Sequence, residues 1–205
     1  MARPSLEFWF EFASTYSYPA AMRIEEAARK ADIDVVWRPF LLGPLLKSQQ
    51  GLADSPFNLV PAKGAYMWRD VARICAGYGF DFKRPSVFPR NGLRAARVVH
   101  AAAGQEWTVE FVRAVYRANF ARDLDIADPG MLAACVIEAG GDPVAALAAA
   151  ETRQTKQALR DATVEAARKG IFGAPSFISE DGELFWGNDR LDDAIAWAER
   201  SMETA

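Results

Sequence analysis

The chain has 205 residues, of which 51% are hydrophobic and 25% are charged, and its formal net charge at pH 7 is −3. This length allows one large domain or two small ones with a sizeable core. The slight acidity and the lack of a basic run weigh against a nucleic-acid partner, and no apolar stretch has the length that a membrane span needs. Because the N-terminus leads into a strand pattern rather than a signal-type apolar core, we expect a cytoplasmic protein.

The number and spacing of the cysteines and the histidine limit which redox, metal and catalytic sites the chain can form. Cys75 and Cys135 lie far apart in helical patterns and form no C-x-x-C pair, so neither a dithiol redox motif nor a thiolate metal site is indicated. We expect both to be buried, because a free cysteine behaves as a small hydrophobic residue. His100 is the one histidine, which excludes a multi-histidine metal site and leaves a Ser-His-Asp triad dependent on that residue. No metal is predicted.

The N-terminal segment predicts a β-α-β unit. Residues 6–12 (LEFWFEF) alternate large apolar side chains from Leu6 onward, as in a strand on a packed surface. Residues 18–30 are amphipathic with a basic tail and predict a helix. Residues 33–38 predict a second strand, which Pro39 either ends or places at a sheet edge. Two strands joined in this way are expected to be parallel.

Ser14 lies where the first strand must turn into the helix. The N-terminus of a helix carries unpaired backbone N–H groups and the positive end of the helix dipole, so this turn favours an anion. An uncharged hydroxyl there can donate a hydrogen bond to a thiolate or a carboxylate. The alternative is that Ser14 or Ser17 is only the N-cap residue of the helix, a position where serine is strongly preferred.

The segment after the second strand has a weaker pattern. Residues 40–50 predict a short helical turn or an irregular lead-out, and residues 51–61 predict a loop rich in Gly, Asp, Ser, Asn and Pro. Lys63 then stands at the start of a helix over residues 64–78. Because a lysine there opposes the helix dipole, it is either placed to meet an external carboxylate or simply solvated on the loop.

The middle of the chain predicts helices only. A Pro-rich connector over residues 80–91 is followed by four helical patterns, over residues 92–103, 105–119, 129–139 and 144–167, the last with a break near residues 150–152. Asp128 and Asp142, each followed by proline, are typical of helix starts. Nearly a hundred residues without a strand signal therefore predict an all-helical insertion.

Strand signals return near the C-terminus. Residues 170–178 and 183–186 flank the turn 180–182 and predict a β-hairpin, and residues 191–202 predict a final helix. Neither terminal piece could form a stable sheet alone, so the two must join in one four-stranded sheet.

The order of these elements predicts two domains. Residues 1–45 and 168–205 form the discontinuous domain that holds the sheet. Residues 46–167 form the helical insertion domain.

Four segments together resemble the kappa-class glutathione transferase family, and within it the 2-hydroxychromene-2-carboxylate isomerases. They are residues 12–18 (FASTYSY), 61–64 (PAKG), 172–175 (FGAP) and 185–190 (FWGNDR). The resemblance covers nearly the whole chain. It implies an α/β protein with a thioredoxin-like, DsbA-like fold: a β-α-β unit, a large all-helical insertion and a β-β-α unit around a four-stranded mixed sheet.

The resemblance also implies a glutathione site. Ser14 takes the place of the attacking cysteine of related disulfide oxidoreductases, and its hydroxyl would donate a hydrogen bond to the glutathione sulfur. Lys63 would meet a terminal carboxylate. Ala174, before a cis Pro175, would bind the cysteinyl backbone like an added strand. The γ-glutamyl end would be held by Asn188 and Asp189.

Two departures from the family pattern leave contacts open. Thr15 stands where family members often have proline, which leaves the helix start less rigid. The polar residue that the family carries ahead of the Lys63 motif has no clear counterpart. Ala53, Asp54 and Asn58 all lie in the region where it is expected.

The substrate side is predicted from the same resemblance. Arg84 and Lys47 are candidates for a basic group that meets a substrate carboxylate. Phe10, Tyr16 and Trp68 either line an apolar substrate pocket or belong to the core.

The reaction implied by the resemblance is the interconversion of 2-hydroxychromene-2-carboxylate and trans-o-hydroxybenzylidenepyruvate in aromatic catabolism. Reversible addition of the glutathione thiolate would turn a double bond into a single bond that can rotate. The alternatives are a kappa-like glutathione transferase or peroxidase and a thioredoxin-fold binding protein without turnover. The family also implies a homodimer.

Overall fold

The computed structural model describes residues 3–203, with side chains up to residue 200. Its strands are β1 (Ser5–Phe10), β2 (Asp34–Pro39), β3 (Ser176–Ser179) and β4 (Leu184–Trp186). They form one sheet in the order β2-β1-β3-β4. β1 is parallel to β2 and antiparallel to β3, and β3 is antiparallel to β4. The predicted four-stranded mixed sheet of the thioredoxin-like fold and its parallel first pair are confirmed.

The helices follow the predicted order. They are α1 (Ser17–Lys30), α2 (Leu42–Gln50), α3 (Pro56–Leu59), α4 (Pro61–Tyr78), α5 (Leu93–Ala101), α6 (Thr108–Phe120), α7 (Pro129–Glu138), α8 (Pro143–Ala150), α9 (Arg153–Arg168) and α10 (Leu191–Glu203). A short 3-10 turn, Asn188–Arg190, precedes α10. Asp128 and Asp142 are confirmed as N-caps. None of the helices in residues 3–203 combines the length and the apolar character needed to cross a bilayer.

Two predictions near the first strand and the following loop are wrong in detail. β1 ends at Phe10 rather than at residue 12, because the Glu11 carbonyl accepts the Ser14 N–H (3.0 Å) and so begins a turn. The predicted loop over residues 51–61 contains α3, whose start is favoured by Pro56 in the first turn.

The region around Lys63 is also more helical than predicted. Residues 42–50 form a regular helix, α2, which ends at Gly51 with a left-handed φ of 66°. α4 begins at Pro61, where proline is favoured because the first N–H of a helix has no partner. Lys63 therefore lies inside the first turn of α4 rather than before it.

Helices cover both faces of the sheet. On one face, Phe8 and Phe10 belong to a large buried cluster that also contains Ile24 of α1 and Leu132 of α7. On the other face, Trp9 packs in a smaller cluster with residues of α2 and α9. The division into domains 1–45 with 168–205 and 46–167 stays a prediction, and residues 1, 2, 204 and 205 of it lie outside the described residues.

The two cysteines and the histidine are placed in helices, as predicted. Burial raises the pKa of Cys75 to about 12 and that of Cys135 to about 11, so neither is a ready nucleophile. His100 Nε2 lies 3.1 Å from the Pro39 carbonyl oxygen, and burial lowers its pKa. Within residues 3–203, no cluster of three or more His, Cys, Asp or Glu side chains could hold a metal ion.

Candidate functional site

The turn from β1 into α1 holds Ser14 between two partners. Its hydroxyl donates to the Ala174 carbonyl (2.8 Å) and accepts from the backbone N–H of Ser17 (3.3 Å), the first residue of α1. The N-cap residue is Tyr16. Tyr16 is already helical in conformation and makes no side-chain cap bond, whereas the Ser14 hydroxyl accepts the Ser17 N–H as an N-cap side chain does. The N-cap alternative therefore holds for Ser14 and is wrong for Ser17.

Further backbone donors lie beside this hydroxyl. In the part of the chain that the structure describes, the N–H groups of Thr15 and Tyr16 have no protein acceptor. The Thr15 side chain is buried and its hydroxyl donates to Met67 Sδ (3.1 Å) on α4. Unpaired N–H groups at a helix start attract anions. The turn can therefore hold a thiolate or a carboxylate next to Ser14.

Two buried side chains of α6 hold the turn in place. The Tyr116 hydroxyl donates to the Glu11 carbonyl (3.0 Å), and the Asn119 amide donates to the Phe12 carbonyl (3.1 Å). Arg90 in turn donates to Asn119 Oδ1 (3.1 Å). Because these groups are buried and paired with one another, they give the turn one defined geometry.

The segment before β3 lies against the Ser14 turn. Ala174 and Pro175 are joined by a cis peptide bond, as the resemblance implies, and the Pro175 carbonyl accepts the Gly187 N–H (3.0 Å). The Trp186 indole lies directly on Gly173: a Cβ at that position would stand 2.2 Å from the indole Nε1, so a side chain there would displace the ring. Motifs that are distant in sequence thus form one side of the site.

Asn188 and Asp189 lie together before α10 but differ in exposure. Asn188 is 4% exposed, and its side-chain and backbone oxygens accept hydrogen bonds from Arg23 of α1 (3.4 and 3.1 Å). Asp189 is exposed and lies 3.5 Å from the Arg190 guanidinium. Asn188 therefore ties the start of α10 to α1, while Asp189 is left facing solvent.

Tyr16 links the turn to α4, and nearby carboxylates affect the pKa of its hydroxyl. Its hydroxyl donates to the Asp70 carboxylate (3.0 Å). Burial raises the pKa of Tyr16, and Asp70 and Asp189 raise it further. The Asp189 carboxylate is therefore close enough to the Ser14 turn to act on a residue of it.

The basic candidates lie on different elements. Lys63 is exposed and shares a helical face with Met67 and Asp70, the two α4 residues that contact the turn. Arg84 is exposed, and its guanidinium stacks over Trp68, 5.0 Å from the ring centroid. Lys47 is exposed on α2. Within residues 3–203, no hydrogen bond or ion pair joins Lys63, Arg84 or Lys47 to the Ser14 turn.

Packing in the structure bears on two further sets of candidates, the aromatic residues proposed for a substrate pocket and the polar residues ahead of the Lys63 motif. Phe10 is fully buried in the core, so the idea that it lines a substrate pocket is wrong. Trp68 is half-buried and meets Phe88 edge-on, with ring centroids 4.9 Å apart. Among residues 53–58, the Asn58 amide donates to the Asp54 carboxylate (3.0 Å) and to the Phe88 carbonyl (3.2 Å).

Sequence reasoning missed Glu11. It lies in the wall of a cleft of about 320 Å³, together with Ala13, residues 41–44 and residues 89–93. Burial raises the pKa of Glu11 to about 7, although a hydrogen bond from the Ala13 N–H opposes that rise. Little in the sequence signals this, because alternation from Leu6 onward places Glu11 on the same strand face as Glu7, where a solvated acid is expected.

Known proteins are similar to this chain in sequence and in fold over most of its length. The family model for the DSBA-like thioredoxin domain matches residues 5–195. A 2-hydroxychromene-2-carboxylate isomerase of Sphingobium xenophagum is 29% identical over 188 residues, which are 92% of this chain and 94% of that protein. Glutathione S-transferase kappa 1 of Rattus norvegicus is 24% identical over 200 residues, which cover 91% of this chain and 87% of that protein.

The fold agrees with a solved structure over nearly the whole chain. A structure of 2-hydroxychromene-2-carboxylate isomerase superposes with a TM-score of 0.86 at 21% identity, covering 98% of this chain and 97% of that chain. The relatives thus include isomerases and glutathione transferases. With the family model matched across both the sheet and the helices, the chain belongs to the family of DSBA-like thioredoxin domains.

Proposed function

We propose that this protein is a glutathione-dependent isomerase that interconverts 2-hydroxychromene-2-carboxylate and trans-o-hydroxybenzylidenepyruvate. The observation that carries the proposal is the place of Ser14, an uncharged hydroxyl at the start of α1, against the Ala174 carbonyl and the cis Pro175. A hydroxyl at this position cannot form a disulfide, so the thiol would come from a bound cofactor. Similarity to an isomerase and to a kappa glutathione transferase supports this choice.

The groups around Ser14 are complementary to glutathione, which carries one thiol, one ammonium and two carboxylates. The Ser14 hydroxyl and the N–H groups of the turn suit a thiolate. The Ala174 N–H has no acceptor among residues 3–203 and suits an extended peptide backbone. Lys63 would bind a terminal carboxylate, and Asp189 would bind the ammonium.

Ser14 would change its hydrogen bond when glutathione binds. Its hydroxyl now donates to Ala174, and rotation about the Cβ–Oγ bond would direct the proton toward a sulfur. The Ser17 N–H would continue to donate to Oγ and so strengthen the bond that the hydroxyl gives. Glutathione, when bound, would supply the thiolate whose reversible addition to a conjugated carbon permits rotation.

In the proposed site, Asn188 would hold the neighbouring Asp189 in place. Its oxygens accept hydrogen bonds from Arg23, which ties the start of α10 to α1. The γ-glutamyl carboxylate would meet the N-terminus of α10, and its ammonium would meet Asp189. Tyr16 and Arg84 stay candidates for the substrate side, and a cytoplasmic homodimer stays an expectation from the resemblance.

A kappa-like glutathione transferase is the second candidate, because the rat kappa transferase aligns over 91% of the chain. It would use the same cofactor site. The two activities differ in one measurable respect, since an isomerase regenerates glutathione whereas a transferase consumes it.

Titration calorimetry with reduced glutathione tests the proposal. We expect saturable binding that is weakened about tenfold by Lys63→Ala or Asp189→Ala, because each removes one charge partner. Asp161→Ala is the control, since this exposed aspartate lies on α9, which contributes no group to the proposed site. S-methylglutathione, which cannot form a thiolate, should bind less tightly.

Ser14→Ala then separates an enzyme from a binding module. We expect isomerisation of 2-hydroxychromene-2-carboxylate to slow by about 100-fold, because one hydrogen bond to the reacting sulfur is lost, while the circular dichroism spectrum stays unchanged. An absence of glutathione binding at millimolar concentration would contradict both enzyme functions and favour the binding-protein alternative.

A further inference from the structure

The cleft beside Glu11 and the proposed glutathione site lie on opposite sides of β1. β3, on one side of β1, follows the segment that brings Ala174 to Ser14, whereas β2, on the other side, leads into residues 41–44 of the cleft wall. Because β1 and β2 are parallel, their carboxyl ends open at the same edge of the sheet, which is a common location for ligand sites. Ala13, the residue before Ser14, is part of the cleft wall, so a thiol held at Ser14 would stand next to the cleft.

The cleft has the size and chemistry of a small-molecule site. It is open to solvent and has a volume of about 320 Å³, and its wall combines three leucines, two prolines, one alanine and two glycines with the polar residues Glu11, Arg90 and Asn91. Arg90 is part of the wall, but its guanidinium is paired with the Asp123 carboxylate. Glu11 is thus the ionisable group of the wall that has no charged partner.

We infer that this cleft binds the substrate that accepts the thiol, a flat aromatic compound with a carbonyl group conjugated to a C=C bond, and that the Glu11 carboxyl is the catalytic acid for its carbonyl oxygen. The apolar walls suit an aromatic ring. A protonated carboxyl in the wall of the cleft can donate a hydrogen bond to a carbonyl oxygen. This inference rests on the proposed function and adds the place of the acceptor and the residue that handles its proton.

The proton and the electrons balance without any further reactant. As a C–S bond forms at the far carbon of the C=C bond, the π electron pair moves through the conjugated system to the carbonyl oxygen, which takes the Glu11 proton. After rotation the proton returns to Glu11, the electron pair re-forms the C=C bond, and the C–S pair leaves on sulfur. A positioned acid of this kind typically contributes about 100-fold or more in rate.

The surroundings of Glu11 keep this proton available near neutral pH. Burial raises its pKa to about 7, against the hydrogen bond from the Ala13 N–H. From α6, Tyr116 presents a phenol whose own pKa is raised by burial, so it stays neutral. The connector before α5 contributes Arg90, and its charge is matched by Asp123 after α6.

Two glycines leave room in the cleft. A Cβ at Gly92 would stand 3.0 Å from the Glu11 carboxyl oxygen and 2.8 Å from Phe12 Cβ, so a side chain there would displace the acid or the turn. Gly43, also in the wall, has no atom within 4 Å of a Cβ position and has no left-handed φ. A large side chain can therefore be introduced into the cleft wall at Gly43 without strain.

The first test uses the protein without glutathione, so that it does not depend on the cofactor. The probe is 2-acetylnaphthalene, an aromatic ketone that has no isolated C=C bond to accept a thiolate. We expect saturable binding by fluorescence titration, and Gly43→Phe should weaken it by about tenfold or more. Gly77→Phe is the matched control, because Gly77 is a helical glycine with equally open surroundings that does not line the cleft. Equal binding by both variants, or none by the wild type, would overturn the inference.

The second test asks whether the Glu11 carboxyl contacts the probe. Infrared spectra of the glutathione-free protein should show a protonated carboxyl band that is lost with a midpoint near pH 7 and is absent in Glu11→Gln. The band should shift when 2-acetylnaphthalene binds. A band that does not move at saturation would contradict contact between this acid and the ligand.

The third test uses the glutathione-loaded protein. Because the acid must be protonated, kcat for the isomerisation should fall above about pH 7. Glu11→Gln should lower kcat by about 100-fold and remove this alkaline limb, with the calorimetric affinity for glutathione unchanged. His100→Asn is the control and should keep the limb. An alkaline fall in kcat that persists in Glu11→Gln would refute the role of Glu11. If the wild type does not bind glutathione, the proposed function is refuted, and the experiments with 2-acetylnaphthalene then decide whether the cleft binds a ligand.

Discussion

Glu11 joins the Ser14 turn through its backbone and the cleft through its side chain. Its carbonyl accepts hydrogen bonds from the Ser14 N–H and the Tyr116 hydroxyl, both at 3.0 Å. Glu11 is half-buried and has no charged partner among residues 3–203, and partial removal of its carboxyl from water raises its pKa to about 7. An acid that is held away from water costs stability when it ionises, and such perturbed acids are concentrated at functional sites.

The ionisation of Glu11 predicts a pH dependence of stability. An unfolded glutamate loses its proton near pH 4.5, whereas the folded protein keeps it up to about pH 7. The folded state therefore binds more protons between these values, and the contribution of Glu11 to the free energy of unfolding falls as the pH rises through this window. At pH 8 the cost reaches about 1–3 kcal/mol.

Urea unfolding of Glu11→Gln measures this cost. The variant should be more stable than the wild type by about 1–3 kcal/mol at pH 8 and should match it at pH 4, where the acid is protonated in both states. Glu106→Gln, an exposed acid, serves as the control and should change stability little at either pH. Equal stability of Glu11→Gln and the wild type at pH 8 would mean that Glu11 is solvated in solution.

At the scale of secondary-structure elements, the site forms where the start of α1, the segment before β3 and helix α6 come together. The start of α1 and the chain before β3 meet because β1 and β3 are neighbours in the sheet. Helix α6 then fixes the turn between β1 and α1 through Tyr116 and Asn119. The geometry of Ser14 is therefore set by a helix that contributes no group to the proposed chemistry.

Tyr116→Phe tests whether α6 positions the turn. It removes the hydroxyl that donates to Glu11 and should cost about 1 kcal/mol of stability. Tyr18→Phe is the matched control, because the Tyr18 ring lies in the same buried cluster and its hydroxyl donates to the Asp81 carbonyl (2.7 Å), away from the turn. Both variants should lose similar stability, but Tyr116→Phe alone should weaken glutathione binding in calorimetry. Equal glutathione affinity in the two variants would refute the positioning role.

For the whole molecule, local patterns predicted most elements. The alternation in residues 6–12, the Asp–Pro helix starts and the turn at residues 180–182 are short-range signals, and the structure contains the corresponding strand, helices and hairpin. Ser14 was found in the same way, because a strand-to-helix turn has a local signature. The other proposed glutathione ligands came from resemblance to a family, since no local pattern connects residues 63, 174 and 189.

What sequence reasoning could not supply is the set of contacts between distant segments. The Ser14–Ala174 hydrogen bond joins residues 160 positions apart, and the Arg23–Asn188 bond joins residues 165 positions apart. The cleft at Glu11 is bounded by three separate segments, so no single stretch predicts it. The alternation from Leu6 onward also does not tell what covers the other face of the strand, where Trp9 packs against residues of α2 and α9.

The large buried cluster predicts that the sheet and the inserted helices unfold together. Phe8 of β1 and Leu132 of α7 belong to the same cluster and are both fully buried. Leu132→Ala should therefore cost about 2–5 kcal/mol, and hydrogen exchange should show the loss of protection in β1 as well as in α7. Ile137→Ala is the matched control on the same helix, because Ile137 is 63% exposed and its truncation should change protection little. If Leu132→Ala destabilised α7 while β1 kept its full protection, the insertion would be an independently unfolding domain rather than half of a shared core.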